Sequence, residues 1–246
     1  MTGNLAVLPT RSEEDFRYAD LAALAPLWPV TEQRIVVPAG ETGSVTVIHS
    51  GSDALVRDIA IDLGAGAQFS LYVLSAGEAS GRIAVRVILQ AGAQFHLGAA
   101  QLAGGDATAE IVTRVVHAAP GAVSRQVVRS VAAGRGTVNY LGKVLVEKGA
   151  DGTDGAQSVR AMLLDRTATA NARPELEIHA DDVKCAHGCA VGELDAGALF
   201  YMAQRGLPPE IAKRLMLQAF VAEALAGAQN EAVLQDQARA ALEALL

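Results

Sequence analysis

Cys185, His187 and Cys189 stand at alternate positions in the run VKCAHGC, two residues after Val183. On a β-strand, alternate side chains share one face at a spacing of roughly 6–7 Å. Val183 indicates that this face points inward, with Lys184 and Ala186 on the other side. A thiolate and an imidazole so placed are donors that can reach one metal at just over about 2 Å each, a combination suited to iron, zinc or copper(I). Two or three donors do not close a tetrahedral shell. Further ligands would have to come from another chain, an added thiol or the sulfide of a cluster. On spacing alone, a Cys-x-His pair in a buried strand is more often packing than ligation, and Gly188 can break the strand and swing Cys189 aside.

Other chemistry is thinly represented. His49, His96, His117 and His179 are far apart in sequence, and His96 and His179 fall on the polar parity of their strands, where solvated imidazoles are expected. Asp181 and Asp182 are an acid pair in composition only, because adjacent residues go to opposite faces of a strand or into a turn. The chain has neither a G-x-x-x-x-G-K-[ST] phosphate loop nor a G-x-S-x-G elbow. The glycine-rich stretches at 103–106 and 148–152 read as turns.

The elements that must hold these residues are announced by a repeat. IVVPAG at 35–40 recurs as IDLGAG at 61–66 and VILQAG at 87–92, 26 residues apart each time, and AGAQFSL at 65–71 returns as AGAQFHL at 91–97. A looser copy ends at Gly121, and VLVEKG at 144–149 resumes the pattern, so corner glycines are expected at Gly40, Gly66, Gly92, Gly121 and Gly149. Ile59, Ile61 and Leu63 alternate with Asp58, Ala60 and Asp62, the period of a half-buried strand. Stacking one period apart puts Ile61 against Ile35 and Val87, and Phe69 against Phe95. The expectation is a mainly β fold, a solenoid whose inward faces form one apolar column. A sandwich gives the alternation but not the recurrence. A hydrophobic fraction of 51% with only 4% aromatics and 24 glycines fits small aliphatic side chains packed in repeats.

Residues 31–192 are read as this core. Residues 1–30 are read as a short N-terminal helical cap over the first coil, one helix from Ser12 to Leu27 with Ser12 as N-cap and Pro26 and Pro29 at its end. Residues 193–246 are read as a C-terminal helical domain. Leu194, Ala198, Leu199 and Met202 mark one helix that stops at Gly206; Pro208 and Pro209 open a second with Ile211, Leu215, Ala219 and Ala222 on its stripe; Asn230 caps a third with Val233, Ala240, Leu242 and Leu245. This is more apolar surface than a small bundle needs, so the helices either cover a solenoid end or dock a partner.

Net charge is −7 and the 20 basic residues are scattered, which argues against nucleic-acid binding. There is no apolar run of about 18 residues to span a membrane. The N-terminus lacks the basic and apolar regions of a signal peptide, so a cytoplasmic location is expected, with both cysteines reduced.

The stretch PELEIHADDVKCAHG from Pro174 to Gly188, followed by ALFYMAQRGLPPEIAKRLM from Ala198 to Met216, resembles the C-terminal signature of the SufD family, and the likeness in architecture extends from about residue 30 to the end. The resemblance implies a right-handed parallel β-helix with a C-terminal α-helical domain. It implies a non-catalytic scaffold for iron–sulfur cluster assembly that pairs with a SufB-like subunit. A SufC-type ABC ATPase would dock on the C-terminal helices and hydrolyse ATP. Cys185 and His187 then match the family's Cys-x-His and would hold iron or a nascent cluster transiently at the subunit interface, with none bound tightly by this chain alone. The sequence departs from the family pattern at the N-terminus, where the usual helical domain is mostly missing. It also departs at Cys189, an added ligand or, the preferred reading, a small buried residue. A SufB-like cluster-holding role, a homodimer built through the solenoid ends and, from a different class, a solenoid carbohydrate-active enzyme are the other readings.

Overall fold

Runs of aliphatic residues alternating with polar ones form strands, and short glycine-bearing corners turn the chain between them. The computed structural model describes residues 7–246. Its strands are β1 (Glu32–Val37), β2 (Thr42–Gly51), β3 (Leu55–Leu63), β4 (Gln68–Gly77), β5 (Gly81–Leu89), β6 (Gln94–Ala103), β7 (Thr108–His117), β8 (Val123–Ala132), β9 (Thr137–Val146), β10 (Asp154–Leu163), β11 (Thr169–Ile178) and β12 (Lys184–Gly192). Odd-numbered strands make one sheet in the order β1-β3-β5-β7-β9-β11, and even-numbered strands make the other. Every pairing is parallel, as between the neighbours β3 and β5. Each coil therefore contributes one strand to each face of a flattened solenoid.

The expected register holds: Ile35 pairs with Ile61, Ile61 with Val87, and Phe69 with Phe95. The same row continues through Val115 and Val144 to Leu176. Each fully buried aliphatic side chain in such a row contributes about 1.5–3 kcal/mol. The lumen is not apolar throughout, contrary to the sequence reading. Tyr140 is buried with its hydroxyl bonded to Thr113, Gln126 and Gln157, and Gln101 donates to the carbonyls of Ala109 and Asn139.

At one corner the chain turns on a column of glycines at positive φ, each N–H donating to a carbonyl of the next coil: Gly40 to Ala65, Gly66 to Ala91, Gly92 to Pro120, Gly121 to Asp151 and Gly152 to Asp182. Gly152, and not Gly149, carries the column on, because the corner after β9 is longer than those before it.

The N-terminal segment differs from the expected single helix. It consists of a 3-10 turn at Glu14–Phe16, a four-residue helix α1 (Leu21–Leu24) and a second 3-10 turn at Ala25–Leu27. Ser12 caps none of them; Asp20 is the N-cap, accepting from Ala23 N while its other oxygen accepts from Ser80 Oγ at 2.7 Å. Ties to the sheet outweigh helix continuity here. Phe16, Ala19 and Leu24 bury against Trp28 and Val56, the Phe16 ring lies 3.9 Å from the Arg82 guanidinium, and Asn139 donates to the carbonyl of Tyr18. The segment thus runs across the outer face of the odd sheet and does not cover the first coil.

The C-terminal helices α2 (Ala196–Gln204), α3 (Pro209–Leu225) and α4 (Glu231–Leu245) also lie on a flank. Leu217, Val221, Leu225, Leu234 and Leu242 pack on Tyr72, Leu74, Ala100, Leu102 and Val131 of the even sheet. A Cβ on Gly98 would stand 2.1 Å from the carbonyl oxygen of Ala224, so this glycine lets the α3 backbone touch the sheet. The stripes read from the sequence are partly the wrong faces: Ile211, Leu215 and Val233 are exposed. Asn230 occupies the N-cap position of α4, but its side-chain oxygen accepts from Thr46 Oγ1 rather than from the helix. No helix among the described residues is long and apolar enough to cross a membrane.

Candidate metal site at the open end of the solenoid

β12 is the last strand of the even sheet and pairs only with β10, so one of its edges is unpaired among the described residues. Cys185 aligns with Gly155, His187 with Gln157 and Cys189 with Val159. These rows continue inward columns of earlier coils, such as Val159 over Val128, which are buried in the core. The inward parity is as expected, and Val183 and Cys185 pack against the main core. Gly188 does not break the strand; it stays in register opposite Ser158. Cys189 therefore remains on the line of Cys185 and His187, with its sulfur 3.9 Å from the carbonyl oxygen of Ala172 on β11.

Among the described residues no further coil covers this one, so inward-facing groups are accessible. Cys185 is half-buried, while His187 and Cys189 are exposed, which corrects the reading of Cys189 as a buried small residue. Burial pushes the Cys185 thiol up, the Asp154 carboxylate adds to the rise, and a backbone bond from Gly155 partly opposes it. Burial also raises Cys189. Both sulfurs are therefore thiols at neutral pH, and a metal bound to either would have to displace a proton.

Residues that the sequence did not single out support the site from within the lumen. The position a Gly155 Cβ would take is 3.5 Å from Cys185 Sγ and 3.6 Å from Ser124 Oγ, so the thiol and the hydroxyl face each other across a missing side chain. Ser124 is in turn 2.9 Å from His117 Nε2. Beneath His187 in register, Gln157 accepts from Tyr140 and donates to the carbonyls of Gly142 and Glu175. The signal for these residues is the coil spacing itself, which puts Gln157 and Gly155 one turn before His187 and Cys185.

The donor set is open. Among the described residues no three His, Cys, Asp or Glu side chains are grouped to hold a metal ion. Cys185 and His187, with Cys189 beside them, supply soft donors on an accessible edge, a set that fits a thiophilic metal completed from outside the chain. The other candidates take structural positions. His49 is buried between Ser75 and the carbonyl of Asp53, and His117 is buried beside Ser124. His96 packs at 5.5 Å from the Tyr72 ring and is not solvated as expected, whereas His179 is exposed against Glu177. Asp181 and Asp182 lie in an exposed turn.

A second accessible surface is apolar. Phe200 is 64% exposed and Tyr201 56%, both on α2, and Ile211 and Leu215 are exposed on α3.

The protein-family description "SUF system FeS cluster assembly, SufBD core domain" matches residues 31–220. Over 140 residues the chain is 35% identical to protein ABCI7, chloroplastic, of Arabidopsis thaliana, covering 56% of this chain and 29% of that protein. It is 34% identical over 112 residues to the iron–sulfur cluster assembly protein SufD of Escherichia coli, covering 46% and 26%. The SufD protein of Bacillus subtilis is 33% identical over 121 residues, covering 48% and 27%. The matched part spans under a third of the length of each of these relatives.

Proposed function

This chain belongs to the SufBD family of SUF-system iron–sulfur cluster assembly proteins, and on that premise we propose that it acts as a SufD-like scaffold subunit. The observation that carries the reading is the placement of Cys185 and His187 on one face of an edge strand, at a solenoid end whose last coil is uncovered. A SufB-like subunit pairs with this end, its strands continuing those of β11 and β12. Its side chains supply the ligands that this chain lacks. Iron or a nascent cluster is the cargo of that interface, held transiently by Cys185 Sγ and His187.

The chain itself is non-catalytic in this reading. ATP hydrolysis belongs to a SufC-type ATPase docked on the apolar surface of Phe200, Tyr201, Ile211 and Leu215. The complex works in a reducing compartment, the cytoplasm, where Cys185 and Cys189 persist as thiols. A SufB-like cluster-holding role is the second reading, supported by exposed Cys189 on the same line as the two donors.

Anaerobic reconstitution with SufB-type and SufC-type partners, read by visible absorption and metal analysis, tests the proposal. Cys185→Ser and His187→Ala should each cut cluster yield while the complex still forms. Normal assembly in both variants removes the site assignment. Stable loading of this chain alone, abolished by Cys189→Ser, favours the second reading.

A further inference from the structure

A cavity of about 830 Å³ lies on the outer face of the odd sheet, walled by the N-terminal segment and remote from Cys185 and His187. Its floor is built from two adjacent register rows. One carries Ala84, Val112 and Leu141 side by side on β5, β7 and β9, and the other carries Arg86, Arg114 and Lys143 on the same strands. Neighbouring strands are about 4.8 Å apart, and like charges directly opposite one another destabilise a sheet. Three cations in a row therefore need anions.

The outer two have them. Arg86 pairs with Glu32 and Asp58, and Lys143 pairs with Glu177. Arg114, between them, is exposed and has no ion pair or hydrogen bond among the described residues. Most of the acids lining the cavity are committed elsewhere: Asp62 to Arg34, and Glu14 and Glu175 to Arg173. Asp15 lies on the side of buried Glu110 and acts on it. Beside the apolar row, against Val56 and Arg82, stand Phe16 and Trp28, an edge-on pair with ring centroids 5.9 Å apart that lines the same cavity.

We propose that this cavity binds a small amphipathic anion, its charged head on Arg114 between Arg86 and Lys143 and its apolar body between the Val112–Leu141 floor and Trp28. The cavity combines an apolar floor and the Phe16 and Trp28 rings with many charged side chains of both signs, and its size suits a compact organic ligand. A phosphate, phosphonate or carboxylate head would accept charge-assisted hydrogen bonds from the Arg114 guanidinium and relieve the repulsion along the row. The inference does not depend on the scaffold role, because it uses neither the open solenoid end nor the helices.

Trp28 is the only tryptophan of the 246-residue chain and lines the cavity, so it reports occupancy directly. The test titrates phenylphosphonate into the full chain, following Trp28 emission and binding heat. A saturable change is expected, with inorganic phosphate binding more weakly for lack of the apolar body. Arg114→Gln, at an exposed position, should fold normally and weaken phenylphosphonate binding on the order of tenfold or more. Phe200→Ser, far from the cavity on α2, should bind as the unsubstituted chain does. No saturable change in Trp28 emission, or equal affinity in the Arg114→Gln variant, overturns the proposal.

Discussion

The Arg129 guanidinium on β8 meets the Glu223 carboxylate on α3 in two parallel hydrogen bonds, Nε to Oε2 at 2.8 Å and Nη2 to Oε1 at 2.6 Å. Arg129 is buried and also donates to the carbonyls of Val128 and Ser158, whereas Glu223 is half exposed. The pair pins the helices to the flank of the even sheet. Replacing Glu223 by Gln removes the charge from the pair and leaves the buried guanidinium less well satisfied, a loss of roughly 1–3 kcal/mol. The hydrogen bond from Arg129 holds the Glu223 carboxyl below its ordinary value. Its contribution is therefore present above the ordinary carboxylate pKa and fades as pH falls through the lowered one. Thermal unfolding together with limited proteolysis of residues 193–246 should show earlier release of the helices in Glu223→Gln. Unchanged protection of that segment would show that the pair does not anchor it.

Burial pushes His117 down to about 4, against a backbone bond from Ala122 and the Asp154 carboxylate, which pull it back up. The folded chain thus keeps this imidazole neutral where the unfolded chain protonates it. Stability should be unaffected above about pH 6.5 and fall by about 3 kcal/mol as pH drops towards 4, levelling below that. Chemical denaturation at a series of pH values should give this slope, and His117→Gln should remove most of it while losing some neutral-pH stability with the Ser124 contact. An identical acid slope in the variant would assign the effect to other groups.

How much of this was legible in the sequence depends on whether spacing stayed constant. Ile35, Ile61 and Val87 could be stacked by eye because their coils are equal in length. The later coils lengthen at the corners, so the glycine column passes to Gly152 and its continuation at Gly149 is illusory. The parity of Cys185 and His187 was readable from Val183, since period two survives even where coil length changes. The helix stripes were not. Both faces of α3 are apolar, and only the contact with Leu74, Ala100 and Leu102 decides that Leu217 and Val221 turn inward while Ile211 and Leu215 turn out. The N-terminal helix failed because Phe16 and Tyr18 find partners on the odd sheet and Asp20 finds Ser80 in the corner before β5, which a continuous helix could not reach together. The cation row at Arg86, Arg114 and Lys143 looked scattered because its members are a full coil apart.

Phe200 and Tyr201 present large apolar side chains that the even sheet does not cover. Interface energy concentrates in such aromatic anchors, so Phe200→Ser should weaken binding of a SufC-type ATPase on the order of tenfold or more. Because the ring packs on nothing in the core of this chain, stability should change by less than about 0.5 kcal/mol. Calorimetric titration of the partner beside thermal unfolding separates the two effects. Wild-type affinity in a Phe200→Ser, Tyr201→Ser double variant would remove α2 from the proposed docking surface.

Cys185 joins the geometry of the open end to its pH behaviour. Its thiol is raised by burial and by Asp154, so ferrous iron bound at this proposed site would displace a proton from the sulfur at neutral pH. Below the raised pKa, affinity of the assembled subunit pair for iron should increase about tenfold per pH unit for each thiol deprotonated on binding. Cys185→Ser should lower affinity and flatten that slope by one proton, while His187→Ala should lower affinity. Asp154→Asn removes a charge that raises the thiol, but it also frees Arg125, whose Nη2 lies 2.6 Å from the Asp154 carboxylate. Loading ferrous iron with loss of the thiol proton takes the site from neutral to a net charge of +1, which the Asp154 carboxylate favours and a freed Arg125 opposes, so weaker loading at neutral pH is expected, measured by competition against a chelator under anaerobic conditions. A pH slope in Cys185→Ser equal to that of the unsubstituted chain would place the displaced proton on another group and exclude Cys185 as the iron ligand.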